Sequence, residues 1–259
     1  MKYVIGLFIA TVGFLLATQH LQQGPEAYWD YVAFFVVVLG TFAVMLITFP
    51  AAPMGLLFKL FRQKFLFGGS SIKSHARKCF DSIQAKSNFK KAGTIEEKLF
   101  NDGLELLSLG FSPELIQDLI SQRFEVYSKR VNMLAAWFRR GSKYPPAFGL
   151  AGTVLGLIHL MRGVSQGIDP KETGIRMAIA LVATFYGLLL SNLLLNPIGE
   201  WLQEEIKRDE MKAEISLRSI MLVQRNADII EVQEVLNSFL SEDEKLSVDY
   251  DFHLAEGIA

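Results

Sequence analysis

Thr153 and Thr184 are the side chains best placed to do chemistry, because each sets a hydroxyl inside a long apolar run. A hydroxyl facing a pore can ligate a cation or order water. The same hydroxyl can instead donate to the carbonyl one turn back in its own helix, and the residue types allow either. The other polar groups of these runs are His159, Tyr186, Asn192 and Asn196, and no Asp or Glu lies between the flanking residues. Intramembrane carboxylates are the usual carriers of protons and cations. If ions move here, another polypeptide brings the carboxylate.

Conventional enzyme chemistry has little to stand on. The four His are scattered without ligand spacing, and no Ser/His/Asp or Cys/His grouping is present, so no catalytic residue, metal site or cofactor is expected. Gly68-Gly69-Ser70-Ser71 lacks the Lys of a phosphate loop. The lone Cys79 reads as a small buried thiol, and His159, on the stripe of Gly152 and Gly156, as a satisfied interfacial histidine rather than a proton relay. A net charge of -1 argues against nucleic acid as a partner.

The elements that must hold the threonines are two apolar runs, 146–161 and 175–195, each near the ~20 residues a helix needs to cross the hydrocarbon of a lipid bilayer. Small residues punctuate them: Gly149, Gly152 and Gly156 in the first, Ala183, Gly187 and Ser191 in the second. Helices in lipid associate through close backbone approach at such residues. The composition, 51% hydrophobic with 20% charge, fits several spans joined to an aqueous portion.

Two further runs precede these. The run 3–17 reads as a first span rather than a signal peptide, since Leu15-Leu16-Ala17 offers one small residue where cleavage wants two. A second span, 31–49, follows a short link whose Tyr28, Trp29 and Tyr31 suit an outer interface. The basic stretch 54–144 is then expected in the cytoplasm, with both termini on the same side. Thr94 and Glu97 have capping-box spacing, Gly110 suits a helix C-terminus, and Ser112-Pro113 opens a new helix. The expected fold is all-α and polytopic: spans 1 and 2 in 1–52, a helical cytoplasmic loop in 53–144, spans 3 and 4 in 145–198, and cytoplasmic helices with an acidic tail in 199–259.

Two motifs carry a resemblance. Pro146-Ala147-Phe148-Gly149-x-x-Gly152-Thr153-Val154-x-Gly156-Leu157, and Ala180-Leu181-x-x-Thr184-x-Tyr186-Gly187 continued by Asn192 and Pro197, resemble the last two spans of MotA/PomA flagellar stator subunits. More broadly they are similar to the MotA/TolQ/ExbB proton channel superfamily. Val38-Leu39-Gly40-Thr41 with Phe49-Pro50 resembles the second span, and Gly103-x-x-Leu106-Leu107-x-x-Gly110 the cytoplasmic loop.

The resemblance implies a non-enzymatic motor component of the bacterial inner membrane. Five copies would surround a MotB/PomB-type partner that brings the ion-binding Asp, and H+ or Na+ flow would become torque on the rotor protein FliG. It assigns the ion pathway to Thr153, Thr184 and Tyr186, coupling to Pro146 and Pro197, and helix packing to Gly149, Gly152, Gly156, Ala183 and Gly187. Rotor contact falls to Glu96. The family's basic position is occupied by Asn88, so Lys86, Lys90 and Lys91 are the substitutes. The alternative is a TolQ/ExbB-type energiser of an outer-membrane system.

Overall fold

A computed structural model describes residues 2–20, 29–49, 54–66, 71–89, 93–167 and 169–246. Every regular element among them is helical: α1 Lys2–His20, α2 Tyr31–Thr48, α3 Met54–Leu60, α4 Ile72–Gln84, α5 Ile95–Ser108, α6 Pro113–Gly141, α7 Tyr144–Ser165, α8 Pro170–Leu189, α9 Asn196–Gln224 and α10 Ile229–Asn237. A π-type turn follows α3 at Phe61–Leu66, and another joins α8 to α9 at Leu190–Leu195. The chain divides into two compact units, residues 1–54 with 131–203, and residues 55–130 with 204–259.

Among the described residues, three stretches are long and apolar enough to cross a membrane: Tyr31–Thr48, one within Pro113–Ser165 and one within Lys171–Gln224. All three bring residues to the first unit. In α2 the Asp30 carboxylate accepts from the N–H groups of Val32 and Ala33, satisfying donors that no helix turn can reach. Its buried residues, Ala33, Val37, Thr41 and Met45, recur every four positions, while Phe34, Phe35, Leu39, Leu46 and Ile47 point outward. A helix apolar on all sides and buried along one stripe suits lipid or neighbouring chains.

The second unit has a conventional core. Ala76 and Phe80 of α4, Leu99 and Phe100 of α5, Ile116 and Ile120 of α6, Ile215 and Ile220 of α9, and Val232 and Leu236 of α10 close on one another. Gly103 lets α5 approach so near α9 that a Cβ there would run into Ile220. Local signals place the helix ends. Ser71 caps α4, and Ser112 caps α6 with Pro113 at its first position. At the start of α5 Thr94 and Glu97 form the capping box, with Glu97 accepting from the N–H groups of Gly93 and Thr94.

Candidate functional site

The site begins with glycine. A Cβ on Gly149 would lie 2.8 Å from the Ala183 carbonyl oxygen, one on Gly152 2.8 Å from the Ala183 Cβ, and one on Gly156 2.6 Å from the Ala180 Cβ. At Gly187 it would strike the backbone of Pro145 and Pro146. Where the obstacle is backbone, nothing can rotate aside, so α7 and α8 run antiparallel at a separation that only small residues permit.

This approach joins the two threonines. Their Oγ1 atoms share a hydrogen bond of 2.5 Å, and Thr153 Oγ1 also lies 3.1 Å from the carbonyl oxygens of Gly149 and Ala180. A hydroxyl has one proton to give. With Thr153 donating to one of the two carbonyls, Thr184 is left to donate to Thr153. The Thr153 hydroxyl thus lies on the carbonyl one turn back and on the neighbouring helix at once. Four oxygens from two helices converge on one half-buried spot. Such a set can replace part of a small cation's hydration shell or relay a proton between hydroxyls.

The proline breaks lie on the same pair of strands of helix, one step further along. Pro197 has no N–H for the Leu193 carbonyl and crowds it sterically. The turn before it widens accordingly, and the Asn196 N–H reaches back five residues to Ser191. On the other side α6 stops at Gly141, and Pro145 and Pro146 sit in the first turn of α7. Ser191 Oγ donates to the Ser142 carbonyl at 2.5 Å, supplying a donor to an acceptor that the chain break orphans. Gly199 packs against Arg139 and the Ala135 carbonyl. The interruption between α6 and α7 and the one between α8 and α9 are thus in register and hydrogen-bonded to each other.

A second polar cluster lies inside the other unit. Lys64 Nζ is 2.5 Å from both Asp209 oxygens and 3.1 Å from Glu205, and the Tyr127 hydroxyl donates to Asp209 at 2.9 Å. Lys212 Nζ is 3.2 Å from Glu96 Oε1 and 3.9 Å from Asp209. The side chains of Glu96, Asp209 and Lys212 are 1%, 1% and 3% exposed. Beside them Ser216 donates to the Glu96 carbonyl and accepts from His75 Nε2 at 2.8 Å, which assigns the proton to Nε2. Burial, helped by the nearby Lys212 charge, lowers the His75 pKa to about 4, so the ring stays neutral. Burial also raises the Cys79 thiol to about 12, an inert group. For Glu97 burial acts upward but is outweighed by the bonds from Lys78, Gly93 and Thr94, and the carboxyl is held below its usual value.

Residues 91–215 match the model of the MotA/TolQ/ExbB proton channel family, a range that contains α5 through α8, the threonine pair and the first two thirds of α9. That stretch is similar to a domain of that family.

Similarity extends beyond the MotA/TolQ/ExbB domain. The chain is 26% identical over 252 residues to the uncharacterized protein YtxD of Bacillus subtilis (strain 168), covering 93% of this chain and 89% of YtxD. It is 23% identical over 254 residues to the chemotaxis protein PomA of Vibrio alginolyticus, covering 95% and 98%. Its fold matches the structure of the flagellar MotAB stator complex from Bacillus subtilis with a TM-score of 0.77 at 22% identity, covering 94% of this chain and 98% of that one.

Several residues implied by the resemblance are held by other parts of the chain. Glu96 is not on the surface: its carboxylate is ion-paired inside the core and cannot meet a partner in this arrangement. Lys86 is exposed, in a left-handed turn after α4 (φ 49°), and Asn88 is exposed beside it. Lys90 and Lys91 lie outside the described residues. Tyr186 turns to α2, accepting from the Asp30 N–H at 3.1 Å with its ring edge-on to Phe34, and so ties two helices. Sequence reasoning missed Lys64, Asp209 and Lys212. The available signal was the spacing of Glu205, Asp209, Lys212 and Ser216, which puts four polar side chains on one stripe of α9.

Proposed function

We propose that this chain is the MotA/PomA-type subunit of a flagellar stator. In this reading α1 joins the three apolar stretches as a fourth membrane span, both termini and the second unit lie in the cytoplasm, and the membrane is the bacterial inner membrane. Five copies surround a MotB/PomB-type partner whose single helix brings the carboxylate, and H+ or Na+ crossing past it turns one assembly against the other. Each charge that crosses releases ~2.3 kcal/mol per 100 mV.

The observation that carries the reading is the α7–α8 pair: glycine-tight, acid-free across both apolar runs, and holding a cluster of four oxygens. A partner carboxylate moving past Thr153 and Thr184 would complete a carrier that this chain lacks. Full-length similarity to PomA supports the same assignment. Pro146 and Pro197, at breaks tied together by Ser191, are suited to pass a change at the threonines to the helices beyond. Rotor contact with FliG is left to exposed loop residues, Lys86 among them, with Glu96 withdrawn to a structural role.

The test is motility in cells lacking their own stator. Co-expressed with its MotB-type partner, the chain restores swimming, and Thr184→Ala abolishes it while the complex still assembles. No swimming with the intact pair would overturn the reading.

A further inference from the structure

The short helix that follows α2 presents a face that the site above does not use. Between Asp30 and Asp81 the sequence holds no Asp or Glu, and its Lys and Arg are Lys59, Arg62, Lys64, Lys73, Arg77 and Lys78. In α3 and its π-type turn Phe58 is 72% exposed and Phe61 41%, and the cations that directly follow them, Lys59 and Arg62, are exposed as well. Neither cation is ion-paired among the described residues.

The opposite face fixes the element in place. Leu60 is buried, Lys64 reaches Asp209 and Glu205 at 2.5 and 3.1 Å, and Gln63 Nε2 donates to the Gly93 carbonyl at 3.1 Å. Phe58, Lys59, Phe61 and Arg62 are thus held outward by the packing behind them.

What covers them follows from where the chain has to be. α2, a candidate span, ends at Thr48, and α3 begins at Met54. Six residues of extended chain reach at most about 20 Å, so α3 starts close to the end of that span. Exposed aromatic rings beside Lys and Arg are the composition of an element lying in the headgroup region, with rings toward the acyl chains and cations among the phosphates. The acid-free run adds no repulsion from an anionic surface, and each cation near such a surface is drawn to it. A zwitterionic surface would bury the rings equally well but offer the cations no net charge.

We propose that α3 with its π-type turn is an anionic-phospholipid site of the cytoplasmic leaflet, in which Phe58 and Phe61 enter the bilayer and Lys59 and Arg62 hold the headgroup phosphates. The inference rests on the reading of α2 as a membrane span and of the second unit as cytoplasmic, and is independent of the rotor and of the coupling ion.

Cys79 is buried and inert, so in Phe58→Cys the new thiol alone takes an apolar fluorescent label, which stands in for the ring. The labelled full chain, co-assembled with a cysteine-free form of its MotB-type partner, is placed in vesicles of equal parts phosphatidylglycerol and phosphatidylcholine, with one lipid or the other brominated. Brominated phosphatidylglycerol should quench the label about threefold more than brominated phosphatidylcholine, and K59Q/R62Q should bring the two to equality with complex yield unchanged. Equal quenching without that double substitution, a preference that survives it, or no quenching by either lipid, as when a protein covers this face, would overturn the site. The same label in Leu39→Cys, at an exposed position of α2, reads the span separately. Quenching at 39 with none at 58 refutes the lipid site alone, whereas none at either position refutes the span on which it rests.

Discussion

Glu96 illustrates what a residue's surroundings do to its role. A carboxylate and an ammonium sealed in the same core are costly to separate, and removing one leaves the other charged and unpaired, typically at about 3–5 kcal/mol. Glu96→Ala should therefore lower the thermal stability of the purified protein by that order, and Glu96→Leu combined with Lys212→Met should recover most of it. A melting series over the single and double variants measures both. His75 adds a pH dependence of definite sign. Its folded pKa of about 4 lies below the unfolded 6.5, so the unfolded chain binds the extra proton in between. Stability is complete above pH 6.5 and falls as the pH drops toward 4, by roughly 3 kcal/mol from this group. His75→Gln should flatten the melting profile over that window. Glu97 acts lower: its stabilisation is present above 4.5 and is lost as the pH falls through its depressed value.

Among the elements, the glycines of the α7–α8 pair and the proline breaks make opposite predictions. Gly187→Ala puts a methyl into the Pro145 backbone, which cannot yield, and should cost about 1–3 kcal/mol and loosen the α7–α8 pair. Size-exclusion profiles of the solubilised complex would register the loss. Pro197→Ala restores a backbone N–H to a helix that now widens around its absence, so melting should rise while swimming fails, if the break transmits motion. Much of this was legible beforehand. Gly149, Gly152, Gly156 and Gly187 announce close approach by type and spacing alone, and Ser112-Pro113 and Gly110 mark helix ends because the groups they satisfy are local. The π-type turn at Leu190–Leu195 was not legible, since Pro197 says that a helix must adjust and not how. The interior ion network was hidden for a different reason. Charges on an amphipathic helix belong to its solvated face by default, and only tertiary packing turns Asp209 and Lys212 inward.

As a whole molecule, the chain is incomplete by itself. The apolar faces of α2, α7 and α8 that remain exposed, among them Phe35, Leu39, Leu155 and Leu181, exceed what a solitary soluble chain leaves to water. They suit lipid and further subunits. The central claim is tested most directly by ion flux into sealed lipid vesicles under an imposed membrane potential. The account predicts no selective H+ or Na+ current through the purified chain alone, and a current when it is co-assembled with its MotB-type partner that disappears when the partner's intramembrane acid is neutralised. A selective current through this chain by itself would contradict it.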